Sequence, residues 1–343
     1  MIRSQTVLAA LLVAAMAPAA AAAQSCTTQA KLPTNLRDTL AGSALTIATA
    51  IRNGDTATVQ QQSASDLTEN FSATAYVVRT LAEQLRSTTL HVTHLYELDA
   101  NGRSSADQTP ASFTCTLTGL SSETDFVISG LPPGLYAFAM VEAVPGGQSD
   151  RSYLLSLLLR QQGDRWLMAG VYPHPLSAAG HDGLWYWTDA RSRAKAKQAW
   201  MAWLEYGVAD ALLRPANFVS TTHLDRLRNE RADAAPAELR NGISGDSPLT
   251  LNAAGGKSYT LTGLDAVASD DGAQLFLQVS YKSSVSGNDA GNTAAMRAEN
   301  IAVVKALMVA HPELKSNLFT AASVFAQGGS GPAFATQVLP SDW

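Results

Sequence analysis

The chain has 343 residues, with 24 Lys and Arg against 29 Asp and Glu and a formal net charge of −5. A mildly acidic chain without a dense basic patch is a poor candidate for binding nucleic acid or anionic lipid, because both are held through clustered cationic charge, though a local basic patch on a neutral surface is an alternative. The one basic run, Arg191, Arg193, Lys195 and Lys197, reads as a solvated helix face.

Residues 1–23 have the pattern of a secretory signal peptide. Arg3 supplies the positive start, Val7 to Met16 is apolar, Pro18 interrupts, and Ala21-Ala22-Ala23 offers a small-residue cleavage site. The apolar run is shorter than the ~20 residues that span a bilayer. Cleavage removes Arg3 and leaves 23 basic and 29 acidic residues, a net charge of −6. The alanine-rich leader has a bacterial character and predicts an exported protein, periplasmic or secreted. No second long apolar stretch follows, so the mature chain is expected to carry no membrane span. In an oxidising compartment the two cysteines, Cys26 and Cys115, predict a disulfide. A lipid-modified Cys26 fits less well, since Ala23 and Gln24 stand where lipoprotein processing favours Leu and a small residue.

Residues 24–35 read as a polar N-terminal tail. A helix follows, with Leu40, Ala44, Ile47, Ala48 and Ile51 in one apolar stripe and Asn53-Gly54 as its stop. Asp55 can cap a short second helix, and Val77, Val78, Leu81 and Leu85 mark a third. After Ser87 the period changes to two. Leu90, Val92, His94, Tyr96 and Leu98 share one face of a regular strand, and the spacing of three puts His91 and His94 on opposite faces. Phe113–Leu117 and Asp125–Ile128 are short strands. Leu135–Val144 is apolar on both faces, as a doubly covered central strand is. Tyr153–Arg160 and Trp166–Tyr172 flank Gly163-Asp164 as a hairpin.

Residues 176–228 read as a helical connector, chiefly one helix bearing Trp200, Trp203, Leu204, Val208, Ala211 and Leu212 and ended by Pro215. Residues 229–248 are polar, Ala/Pro/Gly-rich and linker-like. Residues 249–343 give a small ββαββ unit whose helix carries Met296, Val303, Val304 and Leu307 and stops at His311-Pro312. The fold class expected is α+β: helices packed on a curved antiparallel sheet over 36–175, then the connector and a second small α+β domain.

The helix ending Ile51-Arg52-Asn53-Gly54-Asp55, the third helix feeding a strand at Leu90, and the closing hairpin with Asp164-Arg165-Trp166 together resemble the nuclear-transport-factor-two-like superfamily, which includes ketosteroid-isomerase-like and SnoaL-like proteins. The resemblance covers Leu36 to Pro173, under half of the mature chain. It implies a curved sheet and helices forming a cone with an open pocket, and its members include isomerases, dehydratases and non-catalytic binding or assembly domains. The catalytic aspartate–tyrosine dyad of that group has no counterpart here, so no catalytic residue carries over.

The densest cluster of chemistry-bearing side chains is His174 to Trp187. His174, His181, Asp182, Trp185 and Trp187 could bind a metal, a sugar or a small apolar ligand, though aromatics on such a loop more often serve as packing and His181-Asp182 can simply cap a helix. His94 and Tyr96 are the residues that would line a cone pocket. Asp265, Asp270 and Asp271 around Gly272 lack the spacing of a calcium loop and read as a hairpin turn. Gly328-Gly329-Ser330-Gly331 is no phosphate loop, because no Lys-Ser/Thr follows. No nucleophile elbow, metal motif or cofactor fingerprint is present. The pattern points to a non-catalytic binding or scaffold protein with an unidentified protein or small-molecule partner. The alternative is a small-molecule isomerase, dehydratase or hydrolase with an acid–base site in the N-terminal cone.

Overall fold

A computed structural model of the chain describes residues 24–116, 122–146, 152–285, 290–328 and 332–343. The leader and Gly329-Ser330-Gly331 lie outside the described residues. The fold is α+β, with antiparallel sheets and packed helices.

The first unit begins with β1 (Ser25–Thr28), α1 (Thr34–Arg52), α2 (Thr56–Gln61), the single turn α3 (Ser65–Thr68) and α4 (Phe71–Leu85). The apolar stripe of α1 is buried along its length, and Gly54 takes the left-handed φ of +69° that ends it. Asp55 caps α2 by accepting from the Thr58 N–H at 3.0 Å. Strands β2 (Thr88–Asp99), β3 (Ala111–Thr116), β4 (Glu123–Ile128), β5 (Leu135–Pro145), β6 (Tyr153–Gln162) and β7 (Arg165–Pro175) follow. The main sheet has the order β1-β2-β5-β6-β7.

Three expectations are corrected here. The polar tail is a strand: Ser25 to Thr28 pair with Asp99 to Tyr96 along the free edge of β2. Backbone pairing and the Cys26–Cys115 disulfide hold it in place. The strand β2 is not regular. Its register against β5 shifts between Val92 and His94, so one extra residue enters. Leu90, Val92 and Leu95 therefore pack under the helices, while Tyr96 and Leu98 face the other way. The same shift places His91 and His94 on one face, and both are exposed. His94 is exposed and is not a core histidine.

Strand β5 sorts its side chains by size. Ala137, Ala139, Val141 and Ala143 lie against the helices, where small residues let α1 approach. Tyr136 and Phe138 lie on the opposite face. That face is covered by a second sheet of order β10-β4-β3, in which β10 (Val219–Thr221) returns from much later in the chain. The rings of Tyr96, Phe126, Phe138, Phe218 and Tyr172 meet edge to face in succession, with centroids 4.9–5.7 Å apart. This aromatic cluster fills the space between the two sheets.

After β7 come two-residue strands β8 (Ser177–Ala178) and β9 (His181–Asp182), then α5 (Gly183–Lys195), α6 (Ala199–Leu213), β10 and α7 (Thr222–Ala234). The connector thus has two long helices before β10. Lys197, at φ +62°, makes the left-handed turn between them, inside a stretch of good helix formers that carries no local stop signal. The linker assignment is also corrected. Helix α7 runs to Ala234, and Leu239 in the following 3-10 turn is buried in the core.

The remaining strands are β11 (Leu249–Asn252), β12 (Ser258–Ala268), β13 (Leu275–Lys282), β14 (Ala321–Gln327) and β15 (Phe334–Val338), with helix α8 (Ala290–Ala310) between β13 and β14. They form one sheet in sequence order, with β13 and β14 parallel. The expected ββαββ order gains β11 at its start, a four-residue strand too short to show a period. One core joins this sheet to α5, α6 and α7, including Trp200, Tyr206, Leu212, Leu264, Leu277 and Leu307. Trp200 stacks on His311, with centroids 3.8 Å apart. The connector is therefore part of the second unit's core. Among the described residues no helix is long and apolar enough to cross a membrane.

The two units meet at a hairpin tip. The Tyr153 hydroxyl donates to the Asp270 carbonyl, and the Ala179 N–H donates to the Gly272 carbonyl at 3.0 Å. Gly272 is required there on two grounds. Its φ is +67°, and a side chain would overlap the Ser177 carbonyl.

Candidate functional site

The cluster His174 to Trp187 is dispersed by the fold. Asp182 caps α5, accepting from the Trp185 N–H at 2.7 Å. Trp187 is buried, donates its indole N–H to Glu230 at 2.8 Å, and lies beneath the Arg191 guanidinium at 4.5 Å. Arg191 reaches the same carboxylate with two hydrogen bonds, which hold the Glu230 carboxyl down to about 2. Arg191 and Arg193 are thus tied to carboxylates and are not a free solvated face. His181 stacks on Trp185 at 3.6 Å, on a groove shared with Asp189 and Arg193. Tyr96 is a member of the aromatic cluster. Among the described residues no group of three or more His, Cys, Asp or Glu could hold a metal ion.

His174 alone of that cluster enters the cleft between the two units. This cavity of about 440 Å³ is lined by the end of β7, the last turn of α6, Arg231 of α7 and the end of β12. Pro173 and Pro175 flank His174 at the end of β7, where the strand still pairs with β6 through Tyr153, Leu154 and Leu155. Burial pushes the His174 imidazole down to about 4, partly offset by the Leu212 carbonyl, so the ring is neutral at physiological pH. Its Nε2 is buried without a hydrogen-bond partner, and so is Nε of Arg214 beside it. Buried polar atoms rarely stay unpaired, because an unmade bond costs about 1–3 kcal/mol. Both residues contribute to the walls of one cavity, which makes it the candidate binding site.

Helix α6 explains how charge reaches this depth. Its residues are buried nearly all round, yet it carries Glu205 and Asp210, both buried. Asp210 pairs with Arg214 one turn later and accepts from Arg228 at 3.1 Å. Glu205 sits on the side nearer α5. Arg193 directs its Nε–H at Asp189 (2.9 Å), so its 2.7 Å approach to Glu205 is a charge contact without a hydrogen bond. Burial raises the Glu205 carboxyl to about 8, with Arg193 opposing and the Asp189 carboxylate adding to the rise.

The sign of the resulting pH dependence is definite. Between the ordinary value of 4.5 and about 8 the folded chain keeps a proton on Glu205 that the unfolded chain has lost. Stability from this group is therefore full below pH 4.5 and is lost as pH rises through about 8. Glu205→Gln keeps the shape and removes the titration. Relative to the parent, the variant is expected to gain about 3 kcal/mol between pH 5 and pH 8, read from urea unfolding at both values. An unchanged difference at the two pH values rules out a protonated Glu205.

The signal for this site is in the sequence as the two carboxylates inside the run Trp200–Leu213, since acidic residues are almost never fully buried unless paired. A reading by apolar stripe alone passes over them, as it passes over Arg214 and Arg231. Comparison with protein-family models, with curated proteins and with solved structures finds no match.

Proposed function

We propose that the chain is an exported bacterial protein that binds a small molecule in the cleft between its two units, without transforming it. The observation that carries this reading is the cleft itself, a cavity of about 440 Å³ whose walls come from both units and include His174 and Arg214. Export rests on the leader sequence, and the Cys26–Cys115 bridge is compatible with it. The likeness to the nuclear-transport-factor-two-like superfamily remains a proposal for residues 36–175. The acid–base alternative places its site in a cone, and the aromatic cluster occupies that space. This disfavours an acid–base site there.

Native mass spectrometry tests both parts of the reading. Protein recovered outside the cytoplasm is expected to start near Gln24 and to retain a non-covalent small molecule. Ala211 is exposed and lines the cleft, so Ala211→Trp blocks the cavity without disturbing the core. That variant should lose the retained mass. An intact Met1 sinks export. A retained mass that survives in the Trp variant, or no retained mass and no thermal shift with any member of a small-molecule library, sinks the cleft.

A further inference from the structure

We infer that the groove beside α5 is a second binding site, separate from the cleft, and that it takes a neutral saccharide. The first observation is its aromatic platform. Asp182 caps α5 and fixes its first turn, so Trp185, Asp189 and Arg193 fall in line along one side of the helix. Ala179 and Gly180, both with positive φ, turn the chain so that His181 lies on the Trp185 ring, 3.6 Å away and within 12° of parallel. Tyr186 stands perpendicular to both rings, 5.1 Å from Trp185 and 6.1 Å from His181. These three distances make nearly a right angle at Trp185, so Tyr186 meets the edge of the stack and covers neither outer face. Both stacked rings line the groove, and both are half-buried. The Trp185 indole N–H has no hydrogen-bond partner among the described residues and is not sealed from solvent. The negative face of an aromatic ring attracts the polarised C–H bonds on the flat side of a sugar.

The second observation is the rim. The far wall is the segment 312–318 after α8, anchored by the buried Leu314. It presents Glu313, Lys315 and Asn317, whose side chains make no hydrogen bond or ion pair among the described residues. On the near wall Arg193 holds Asp189 at 2.9 Å and Gln198 at 3.1 Å in one array. Gln198 accepts there through its oxygen, so its NH2 group remains for a ligand. Donors and acceptors thus stand together around the aromatic pair, which suits hydroxyl groups, since each hydroxyl both donates and accepts. The third observation is charge. Asp189 and Glu313 are matched one for one by Arg193 and Lys315, so the groove offers no surplus to a small ion. A wholly apolar ligand would leave rim groups unpaired, at about 1–3 kcal/mol for each one it desolvates. The groove encloses about 530 Å³, room for a sugar of one or two rings.

The test is binding of the mature protein to an immobilised array of neutral glycans (glucans, galactans, mannans and chitooligosaccharides) and acidic ones (sialylated, sulfated and uronate-containing). The strongest neutral binder is then titrated calorimetrically as the free oligosaccharide. Neutral glycans are expected to bind, and acidic ones at least tenfold more weakly. Trp185→Ala should weaken the free oligosaccharide tenfold or more. Trp185 also packs on the core, so if that variant does not fold, Asn317→Ala decides, because Asn317 is exposed; a loss of threefold or more is expected. Ala211→Trp closes the cleft and should leave the oligosaccharide affinity unchanged. No neutral glycan bound, or a preference for acidic glycans, overturns the assignment. Binding on the array that is absent with the free oligosaccharide is surface adsorption and overturns it equally. Binding unaffected by the deciding variant, or lost in the Ala211→Trp variant, places the sugar elsewhere and overturns it too. The cleft reading stands or falls separately, on the mass retained by the parent protein.

Discussion

Replacing Cys26 and Cys115 together by serine is expected to lower the unfolding free energy by about 3–4 kcal/mol. The bridge closes a loop of 89 residues, with Cα atoms 5.2 Å apart, inside the ordinary disulfide range. Chain entropy for a loop of that length gives about 4.6 kcal/mol at 25 °C, an upper figure because the reduced unfolded chain keeps some compactness. The local setting adds to the effect. Cys115 is fully buried in the aromatic core of the first unit, and Cys26 packs against it from β1. Strand β1 is an edge strand of four residues, and the bridge ties it to β3 in the second sheet. Without it the N-terminal strand should fray first, and hydrogen-exchange protection at Ser25–Thr28 should fall before that of β5. Urea unfolding of the double serine variant checks the magnitude. A loss below about 1 kcal/mol shows that the bridge is strained or that the reduced chain is already as constrained.

What the sequence shows and hides follows from the range of the forces involved. The stripe of α1, the cap at Asp55, the stop at Asn53-Gly54 and the hairpin at Gly163-Asp164 are set by neighbours within a few residues. All are legible. The size sorting of β5 is legible for the same reason, since alternation along a strand is local. The bulge in β2 is not, because Thr93 is an ordinary strand residue and only the partner register shows that one residue is extra. That one residue reverses the faces of His94, Tyr96 and Leu98 relative to Leu90 and Val92. The turn at Lys197 is hidden likewise: tertiary packing of α5 on α6 bends a stretch whose local propensity is helical. The binding site is the extreme case. His174, Arg214, Arg231 and Asp265 come from β7, the end of α6, α7 and β12, and nothing in their spacing announces a meeting. What remains visible is indirect: acidic residues inside an apolar helix must be paired with a cation, as Asp210 is with Arg214, or neutralised, as Glu205 is.

Phe138→Ala tests whether the Tyr136–Phe138 face of the main sheet is structural core or a surface waiting for a ligand. Phe138 is fully buried on β5, and its ring meets those of Phe126 and Phe218 at 5.2 and 5.7 Å. Removing a buried ring costs about 3–5 kcal/mol, part of it from the cavity left behind. A side chain facing open solvent or a pocket costs far less. Urea unfolding is expected to show a loss of about 4 kcal/mol with an unchanged slope. Phe218 comes from the segment after α6, and its neighbour Val219 pairs with Phe126 in β4. Loss of the Phe138 ring should therefore loosen the connector as well as the first unit. The double variant Phe138→Ala/Phe218→Ala should lose less than the sum of the two single changes, because the second truncation removes a ring whose partner is already gone. Strict additivity breaks the claim of one continuous cluster. A loss under about 1 kcal/mol for Phe138→Ala alone shows that the face is open, and it returns the acid–base reading of the first unit to consideration.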